Sequence, residues 1–325
     1  MHKKKILSSV IFFLIGIFLF WLVYRDFNVA EVIITLKDIG CEWVLISIVF
    51  GLTSHYIRAL RWKMLITTMD HNPRTLNLFL SVIILYFTNL IIPRGGEISR
   101  CAIVSKYEGI PFVKLLGTVF IERIVDLIVF IIIFIVMLIW QFSFFKTVFN
   151  YPEFKIDFST INNKMIPIIL TVLLSGILVI VLLKYGVLNR ILIKLRKIKS
   201  DFLEGVLVIV HLKGIVRFFI YTLLIFLCWF LMLYTMFFAY PATAHLTFMI
   251  AIITYTFANL AYLLPIQAGI GTWHFIVISC LFFYGIDKTT GMIFALIAHT
   301  FTNLIYLGFG PITLSMLPII NIKKK

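Results

Sequence analysis

Charged residues are scarce in this chain. Only 13% of its 325 residues are Asp, Glu, Lys or Arg, whereas 62% are hydrophobic, and the mean hydropathy is +1.09. A soluble globule with so little charge could not cover its apolar surface, because an average soluble domain is about 25% charged. The abundance of Ile, Leu and Phe excludes disorder. The composition therefore predicts a membrane protein that crosses the bilayer several times.

Cysteine is also rare, and familiar catalytic signatures are missing. The four cysteines are scattered, without a CxxC pair or a histidine spacing suited to zinc, so we expect no structural metal and no disulfide framework. The chain contains no H-E-x-x-H, G-x-S-x-G or Walker A sequence and no soluble stretch large enough for a transferase domain. We therefore assign no catalytic residue, no metal and no cofactor from the sequence.

Apolar runs long enough to cross a hydrocarbon layer of about 30 Å recur along the whole chain. Two of them are interrupted by proline and glycine, at residues 93–96 and 265–271, and such breaks are tolerated only inside protein or against a watery cavity. The sequence predicts an all-α polytopic membrane fold with about six full transmembrane helices and two broken, re-entrant helix pairs. The predicted full spans are Ile6–Tyr24, Trp43–Ile57, Val119–Trp140, Met165–Leu183, Phe218–Tyr240 and Thr289–Gly310.

Lysine and arginine are distributed unevenly between the predicted loops. If each broken run enters and leaves the membrane on one side, most basic residues fall on the face that holds both chain ends. The positive-inside rule then places both termini in the cytoplasm. The net charge of +15 would suggest nucleic-acid binding in a soluble chain, but here we assign it to topology and to contact with anionic headgroups. The basic segment 184–199 is expected to lie on the cytoplasmic leaflet.

The predicted elements fall into two similar halves of one membrane domain, residues 1–325. Residues 1–140 and 165–325 each run through two spans, a broken pair and a last span, but from opposite sides of the membrane, and a loop at 141–164 joins them. The breaks also match, because each has an Asn-Leu pair, then a proline, then two glycines. Inverted repeats with broken segments at corresponding positions point to the midplane site of a transporter.

The residues at the two breaks suggest a site for an anion. A helix that restarts at Glu97 presents unpaired N–H groups to such a ligand, and the neighbouring Arg94 and Arg100 suit bidentate binding of phosphate oxygens. At the second break another helix start has Gln267 and His274 as polar neighbours. The candidate lipid- or phosphate-binding residues are Arg94, Gly95, Gly96, Glu97, Arg100, Arg123, Gln267, Gly269, Gly271 and His274.

Three charged residues stand inside an otherwise apolar span. Glu122 and Asp126 lie four apart on one helix face, and Arg123 can reach Asp126 three residues on. Charged groups in a span are costly and are candidates for function. Two interpretations of these residues stay open. They contact a lipid headgroup, or they form an internal ion-pair network that stabilises the broken helix pair.

A short group of basic and aromatic residues follows the second predicted span. Arg58, Arg61 and Trp62 stand at its cytoplasmic end, where arginine and tryptophan are ordinary anchors at the membrane interface. We therefore predict that these three residues are interface anchors. The single histidines His55, His245 and His299 have apolar neighbours in the sequence and are expected to be hydrogen-bonded packing residues.

Four motifs occur in order across nearly the whole chain. They are Arg58-x-x-Arg61-Trp62, Asn89-x-x-x-Pro93-Arg94-Gly95-Gly96-Glu97-Ile98-x-Arg100, Glu122-Arg123-x-x-Asp126 and Pro265-x-x-x-Gly269-x-Gly271. The set resembles the membrane domain of the bacterial lysylphosphatidylglycerol synthase/flippase family, including its stand-alone relatives that lack the soluble aminoacyl-transferase domain. The resemblance implies a lipid-translocating fold with two re-entrant helix pairs around a central cavity. By that likeness the cavity residues are Arg94, Glu97, Arg100, Glu122, Arg123 and Asp126.

The second break departs from the pattern of that family. Its members read Pro-x-Pro-Gly-Gly-x-Gly-x-x-Glu there, whereas this chain has Gln267, Ala268 and, at the glutamate position, His274. The missing carboxylate argues against assuming the same cargo or the same proton coupling.

These observations are compatible with three functions: a lipid transporter, a membrane enzyme and a scaffold. The leading interpretation is a flippase or transporter that moves an anionic or polyprenyl-phosphate-linked lipid across the bacterial inner membrane, so that its partner is a membrane lipid. The alternative is a membrane-embedded enzyme or enzyme subunit that uses the carboxylates at 97, 122 and 126 to modify a lipid headgroup or a glycan carrier. A third is a scaffold that recruits partners through the basic segment 184–199.

Overall fold

The computed structural model describes residues 14, 17–18, 20–25, 37–92, 94–142, 200–263 and 266–322. Within these ranges the secondary structure consists of helices without any β-strand, which confirms the predicted all-α class. The predicted span Met165–Leu183, the basic segment 184–199, nearly all of the loop 141–164 and most of Ile6–Tyr24 lie outside the described residues.

Eight α-helices position the regions discussed below. In chain order they are α1 (Cys41–Thr67), α2 (Thr75–Ile91), α3 (Gly96–Glu108), α4 (Phe112–Trp140), α5 (Ile215–Ala239), α6 (Phe248–Ala258), α7 (Thr272–Phe283) and α8 (Lys288–Ile320). Among the described residues, α1, α4, α5 and α8 are long and apolar enough to cross a membrane, whereas α2, α6 and α7 are shorter apolar helices. The chain is therefore a multi-pass membrane protein.

Both predicted interruptions are present. Helix α2 ends at Ile91 and α3 begins at Gly96, and the two helices pack against each other as a hairpin. Helix α6 ends at Ala258, two short 3₁₀ turns follow at Asn259–Leu263 and Gln267–Gly269, and α7 then packs back against α6. Helix α2 of the first hairpin contacts the Gln267–Gly269 turn of the second break.

The tight turn of the first hairpin depends on a glycine. A Cβ atom added at Gly96 would lie 2.2 Å from the carbonyl oxygen of Leu85, so the backbones of α2 and α3 approach closely at this point. The second break bends through left-handed backbone instead, with φ of 49° at Ala268, 71° at Gly269 and 82° at Gly271. Glycine adopts such angles without steric penalty.

The described helices repeat one order of elements. A long helix, a broken hairpin and a long helix form α1 to α4, and the same sequence of elements forms α5 to α8. Helix α1 packs against α5, and α2 packs against α8, so each part of the chain contacts the other. The division into halves 1–140 and 165–325, and the opposite orientation of these halves in the membrane, stay predictions.

Three predicted helix boundaries are wrong. Helix α1 continues past Ile57 to Thr67, because its arginines are buried and paired inside the protein and do not mark the end of a span. Helix α4 begins at Phe112 rather than at Val119. Helix α8 continues to Ile320 through two prolines, Pro311 and Pro318, which membrane helices tolerate where neighbouring groups satisfy the freed carbonyls.

Candidate functional site

One face of α1 carries a stripe of small, polar and cationic residues. It is formed by Gly51, His55, Arg58, Trp62 and Leu65, which follow one another at intervals of three or four and are all buried. Residues three or four apart share a helix face. The stripe therefore turns Arg58 into the protein, and Arg61, three residues further along α1, is buried as well.

Two carboxylates of α4 meet these arginines. Arg61 donates from Nη1 to Asp126 Oδ1 at 2.6 Å and from Nη2 to Glu122 Oε1 at 2.9 Å. Its Nη1 also donates to Thr222 Oγ1 of α5 at 2.9 Å. Arg58 Nη2 lies 3.5 Å from Asp126 Oδ2, and Arg58 Nε lies 3.9 Å from Glu122 Oε1. The first and third of the four sequence motifs are thus joined through ion pairs at sequence separations of more than sixty residues.

Two further arginines complete the ion-pair cluster. Arg100, one turn after the first break, donates from Nη2 to Glu122 Oε2 at 3.0 Å. Arg123 Nη2 lies 3.5 Å from Glu122 Oε1, and its Nη1 lies 3.7 Å from Asp126 Oδ2. We call the set Arg58, Arg61, Arg100, Glu122, Arg123 and Asp126 the arginine cluster.

Aromatic rings pack against the guanidinium groups of the cluster. Arg100 lies 4.5 Å from the ring centre of Trp62, and Arg58 lies 4.7 Å from that of Trp229. Phe218 is 5.5 Å from the Arg61 guanidinium. Such cation–π contacts strengthen when they are desolvated. Within the described part of the chain, Arg58, Arg61 and Arg100 are thus packed against carboxylates and rings and have no exposed surface.

The arginine cluster contains more cations than anions. Four guanidinium groups share two carboxylates, and Arg58, Arg61, Arg100 and Glu122 have 0% exposure. Within the described residues, Arg58 Nη1, Arg61 Nε, and Nε and Nη1 of Arg100 have no hydrogen-bond partner. A buried excess of positive charge with unused donors suits one further anionic group.

Arg58, Arg61 and Trp62 are not interface anchors. Anchors expose their polar ends to the headgroup layer, whereas all three side chains are 0% exposed and face α4 and α5. Trp62 donates its indole N–H to Thr118 Oγ1 of α4 at 2.9 Å. The predicted anchor role is therefore corrected to a buried, ion-paired role. The spacing of three or four residues from Gly51 to Leu65 is the signal in the sequence that could have indicated it.

At the first break, the structure separates residues that the sequence analysis grouped. Arg94 is exposed and takes a left-handed conformation with φ of 58°. Gly95 and Glu97 are partly buried, and Glu97 makes no ion pair with the cluster in the part of the chain that the structure describes. Arg100 alone of the predicted residues at this break joins the cluster.

The restarted helix α3 is capped from within the protein. The Gly96 N–H donates to Asn89 Oδ1 at 2.8 Å, so this N–H group is not presented to a ligand as predicted. Asn89 belongs to the last turn of α2, and its amide therefore ties both helices of the hairpin together.

We expect the Asn89→Ala variant to lower the free energy of unfolding by about 1 kcal/mol, because it leaves the Gly96 N–H without its acceptor. Thermal unfolding of the detergent-solubilised protein measures the effect. Asn89→Asp keeps an acceptor oxygen and serves as the control, with stability near that of the wild type. An alanine variant as stable as the wild type would show that the cap contributes nothing.

The second break gathers polar residues of its own. His274 Nδ1 accepts from the Gly271 N–H at 3.4 Å, and the His274 and His299 rings lie 4.5 Å apart. His299 Nε2 lies 2.8 Å from the carbonyl oxygen of Ala268. Gln267, Gly269 and Gly271 are buried at the same turn. The prediction that His299 is a hydrogen-bonded packing residue is confirmed.

Between the arginine cluster and the second break lies a group that the sequence analysis did not assign to the site. His55 Nε2 of α1 is 3.1 Å from Tyr306 Oη of α8, and the His55 ring lies 4.4 Å from the ring of Tyr86 in α2. Tyr86 and Tyr306 stack at 4.9 Å. Their juxtaposition requires three helices far apart in sequence, so no local pattern could have predicted it.

Comparisons with known proteins agree with this architecture. The family described as the lysylphosphatidylglycerol synthase TM region matches residues 6–310 of the chain. A relative, the UPF0104 membrane protein MJ1595 of Methanocaldococcus jannaschii, is 29% identical over 133 residues, which cover 40% of this chain and 40% of that protein. No solved structure matches the chain. The chain belongs to the lysylphosphatidylglycerol synthase transmembrane-region family.

Proposed function

We propose that this protein is a flippase that moves an anionic or polyprenyl-phosphate-linked lipid between the leaflets of the membrane. The observation that supports the proposal is the arginine cluster, in which four buried guanidinium groups share two carboxylates beside a helix break. Ionisable groups inside a membrane are expensive and mark substrate or ion pathways. A lipid phosphate would supply the charge and the acceptor oxygens that the cluster lacks.

The phosphate would bind through arginine donors that are already oriented. Nη1 of Arg58 and Nη1 of Arg100 have no partner among the described residues, while the second Nη of each is held by a carboxylate. A guanidinium group fixed in this way loses little side-chain entropy when it binds a second acceptor. Glu122 and Asp126 would then position the arginines, and the arginines would contact the lipid.

Arg123 offers a path from the bilayer to the cluster. Its side chain is 36% exposed, against at most 11% for each of its ion-pair partners. Phe120 and Leu127, which share its face of α4, are exposed apolar residues. In the proposed mechanism the phosphate enters beside Arg123 while the lipid chains stay in the hydrocarbon layer against this face.

We also propose that the protein lies in the bacterial inner membrane with both termini in the cytoplasm. The support is the uneven distribution of lysine and arginine between the predicted loops.

Vesicles that contain the purified protein and fluorescently labelled lipids test the function. We expect protein-dependent exchange of labelled phosphatidylglycerol or polyprenyl phosphate between leaflets, and we expect Arg100→Ala to reduce the rate by about tenfold or more, since a charge-assisted hydrogen bond contributes about 1.5–3 kcal/mol. Lys106→Ala, which removes an exposed cation from the same helix, is the matched control and should leave exchange unchanged.

Equal rates for the wild type and Arg100→Ala with each anionic lipid would remove the assigned role of the cluster. Mass spectrometry of the lipids of a deletion strain tests the alternative class. A lipid species that disappears from that strain would indicate synthesis, whereas an unchanged inventory with altered leaflet exposure would support transport.

A further inference from the structure

His55 occupies a buried position between the arginine cluster and α8. It is 1% exposed, it lies one helical turn before Arg58, and its two ring nitrogens face hydroxyl groups. Nε2 is 3.1 Å from Tyr306 Oη, and Nδ1 is 3.4 Å from Ser54 Oγ. Both partners are hydroxyl groups, so both can accept a hydrogen bond from the ring.

The hydroxyl groups allow His55 to exist in either protonation state. Ser54 already donates its hydroxyl hydrogen to the carbonyl oxygen of Gly51 at 2.7 Å, so it can only accept from His55 Nδ1. Neutral His55 therefore accepts the Tyr306 hydroxyl hydrogen at Nε2. When a proton binds at Nε2, the Tyr306 hydroxyl rotates and accepts the new N–H, and both hydrogen bonds persist.

His299 lacks this freedom. Its Nε2 faces the carbonyl oxygen of Ala268, which can only accept, and its Nδ1 faces the amide nitrogen of Asn303 at 3.2 Å. That amide is oriented by its bond to the His299 carbonyl oxygen at 2.7 Å, so Nδ2 is a donor. The same amide nitrogen also lies 3.3 Å from Nε2. A second proton on the His299 ring would therefore find no acceptor at Nδ1 among the described residues, whereas His55 has an acceptor at each ring nitrogen.

Charged and titratable groups face His55 from several helices. Arg58 lies on the same helix, Tyr86 of α2 stacks on the ring, and Tyr306 of α8 binds Nε2. Glu122 and Asp126 of α4 contact Arg58, at 3.9 Å and 3.5 Å, and no ion pair joins either of them to His55 among the described residues. Among the described residues, Arg58 therefore presents positive charge one helical turn from His55, in a cluster with more cations than anions.

We infer that His55 binds a proton together with the anionic group of the lipid, so that the arginine cluster and His55 form one site for an anion and a proton. The inference rests on the proposed function. An anion beside Arg58 offsets the repulsion between this arginine and a protonated His55, which favours proton uptake. By reciprocity of linked equilibria, the proton strengthens binding of the anion by the same factor. Translocation would then move lipid and proton together.

Binding of a short-chain phosphatidylglycerol to the full chain in detergent tests the inference. This phosphodiester keeps a single charge across the range in which histidine titrates, so any pH dependence belongs to the protein. Because the neighbouring Arg58 guanidinium opposes protonation of the buried His55, we expect the wild type to bind it at least about twofold more tightly at about pH 5 than at about pH 8, given the usual strength of coupling between two sites. Binding in a weakly buffered solution with a pH-sensitive dye should show proton uptake.

His55→Gln should abolish both the pH dependence and the proton uptake, because glutamine can bond to Tyr306 but cannot gain a proton. His299→Gln is the matched control, a buried histidine of the second break, and should retain the pH dependence. Tyr306→Phe is the second variant. It keeps the packing of the ring but removes the acceptor for the protonated state, so the ratio of affinities should fall.

Each outcome decides the question. Wild-type binding that is equally tight at both pH values, or a pH dependence that survives in His55→Gln, would overturn the inference and leave the proposed function intact. No binding of the phosphodiester at either pH, together with no lipid exchange in vesicles, would overturn both. Loss of the pH dependence in the His55 and Tyr306 variants, but not in His299→Gln, would support the joint site.

Discussion

The Glu122→Gln variant is expected to lose a large part of the stability of the protein. Glu122 lies within 4 Å of four guanidinium groups, those of Arg58, Arg61, Arg100 and Arg123, and its side chain has no exposure. The neutral amide leaves these cations with Asp126 as the remaining carboxylate of the cluster. Breaking a buried ion pair costs about 3–5 kcal/mol, a large part of the about 5–15 kcal/mol that holds a typical protein folded.

Thermal unfolding and size-exclusion behaviour of the detergent-solubilised protein measure this effect. Glu204→Gln is the matched control, because Glu204 pairs with Lys114 at 2.6 Å but its side chain is 48% exposed. Surface pairs of that kind contribute about 0–1 kcal/mol. If Glu122→Gln were as stable as Glu204→Gln, the cluster would not be the buried ion-pair network described here.

The Gly96→Ala variant is expected to open the first hairpin. The added Cβ would meet the carbonyl oxygen of Leu85 at 2.2 Å, and a backbone atom cannot move aside as the end of a side chain can. We expect the free energy of unfolding to fall by about 1–3 kcal/mol, the usual range for overpacking, because α2 and α3 must separate. Arg100 lies one helical turn after Gly96, so its contact with Glu122 should weaken and lipid exchange should fall as well.

Gly308→Ala is the control for Gly96→Ala, because it adds the same methyl group where there is space for it. Gly308 lies inside α8, and a Cβ there would meet nothing within 4 Å. The substitution should be neutral or stabilise the helix by up to about 1 kcal/mol, since alanine has the higher helix propensity. Similar stability of the two alanine variants in thermal unfolding would contradict the close approach of α2 and α3.

The capped helix starts change where an anion is expected to bind. At both breaks a side chain accepts from a backbone N–H, Asn89 from Gly96 and His274 from Gly271. The helix ends are therefore partly satisfied from within the protein. Unused donors lie instead on arginines of the cluster, among them Arg58 of α1 and Arg100 of α3, which is why the proposed site is built on guanidinium groups.

The sequence by itself determined that this is an all-α membrane protein with two interrupted helix pairs. Those features are local: the length of an apolar run decides whether it can cross the bilayer, and a proline followed closely by two glycines favours the interruption of a helix. The same local information predicted that Glu122 and Asp126 share a helix face and that internal pairing was open to them.

The tertiary structure alone decided which cations serve the site. Arginine at the end of an apolar run looks the same whether it faces headgroups or carboxylates, and Arg61 finds Asp126 from 65 residues away. His55 likewise meets Tyr306 across 251 residues. Whether a side chain is buried depends on the helix that packs over it, and that packing is set by contacts between distant parts of the chain rather than by its neighbours in sequence.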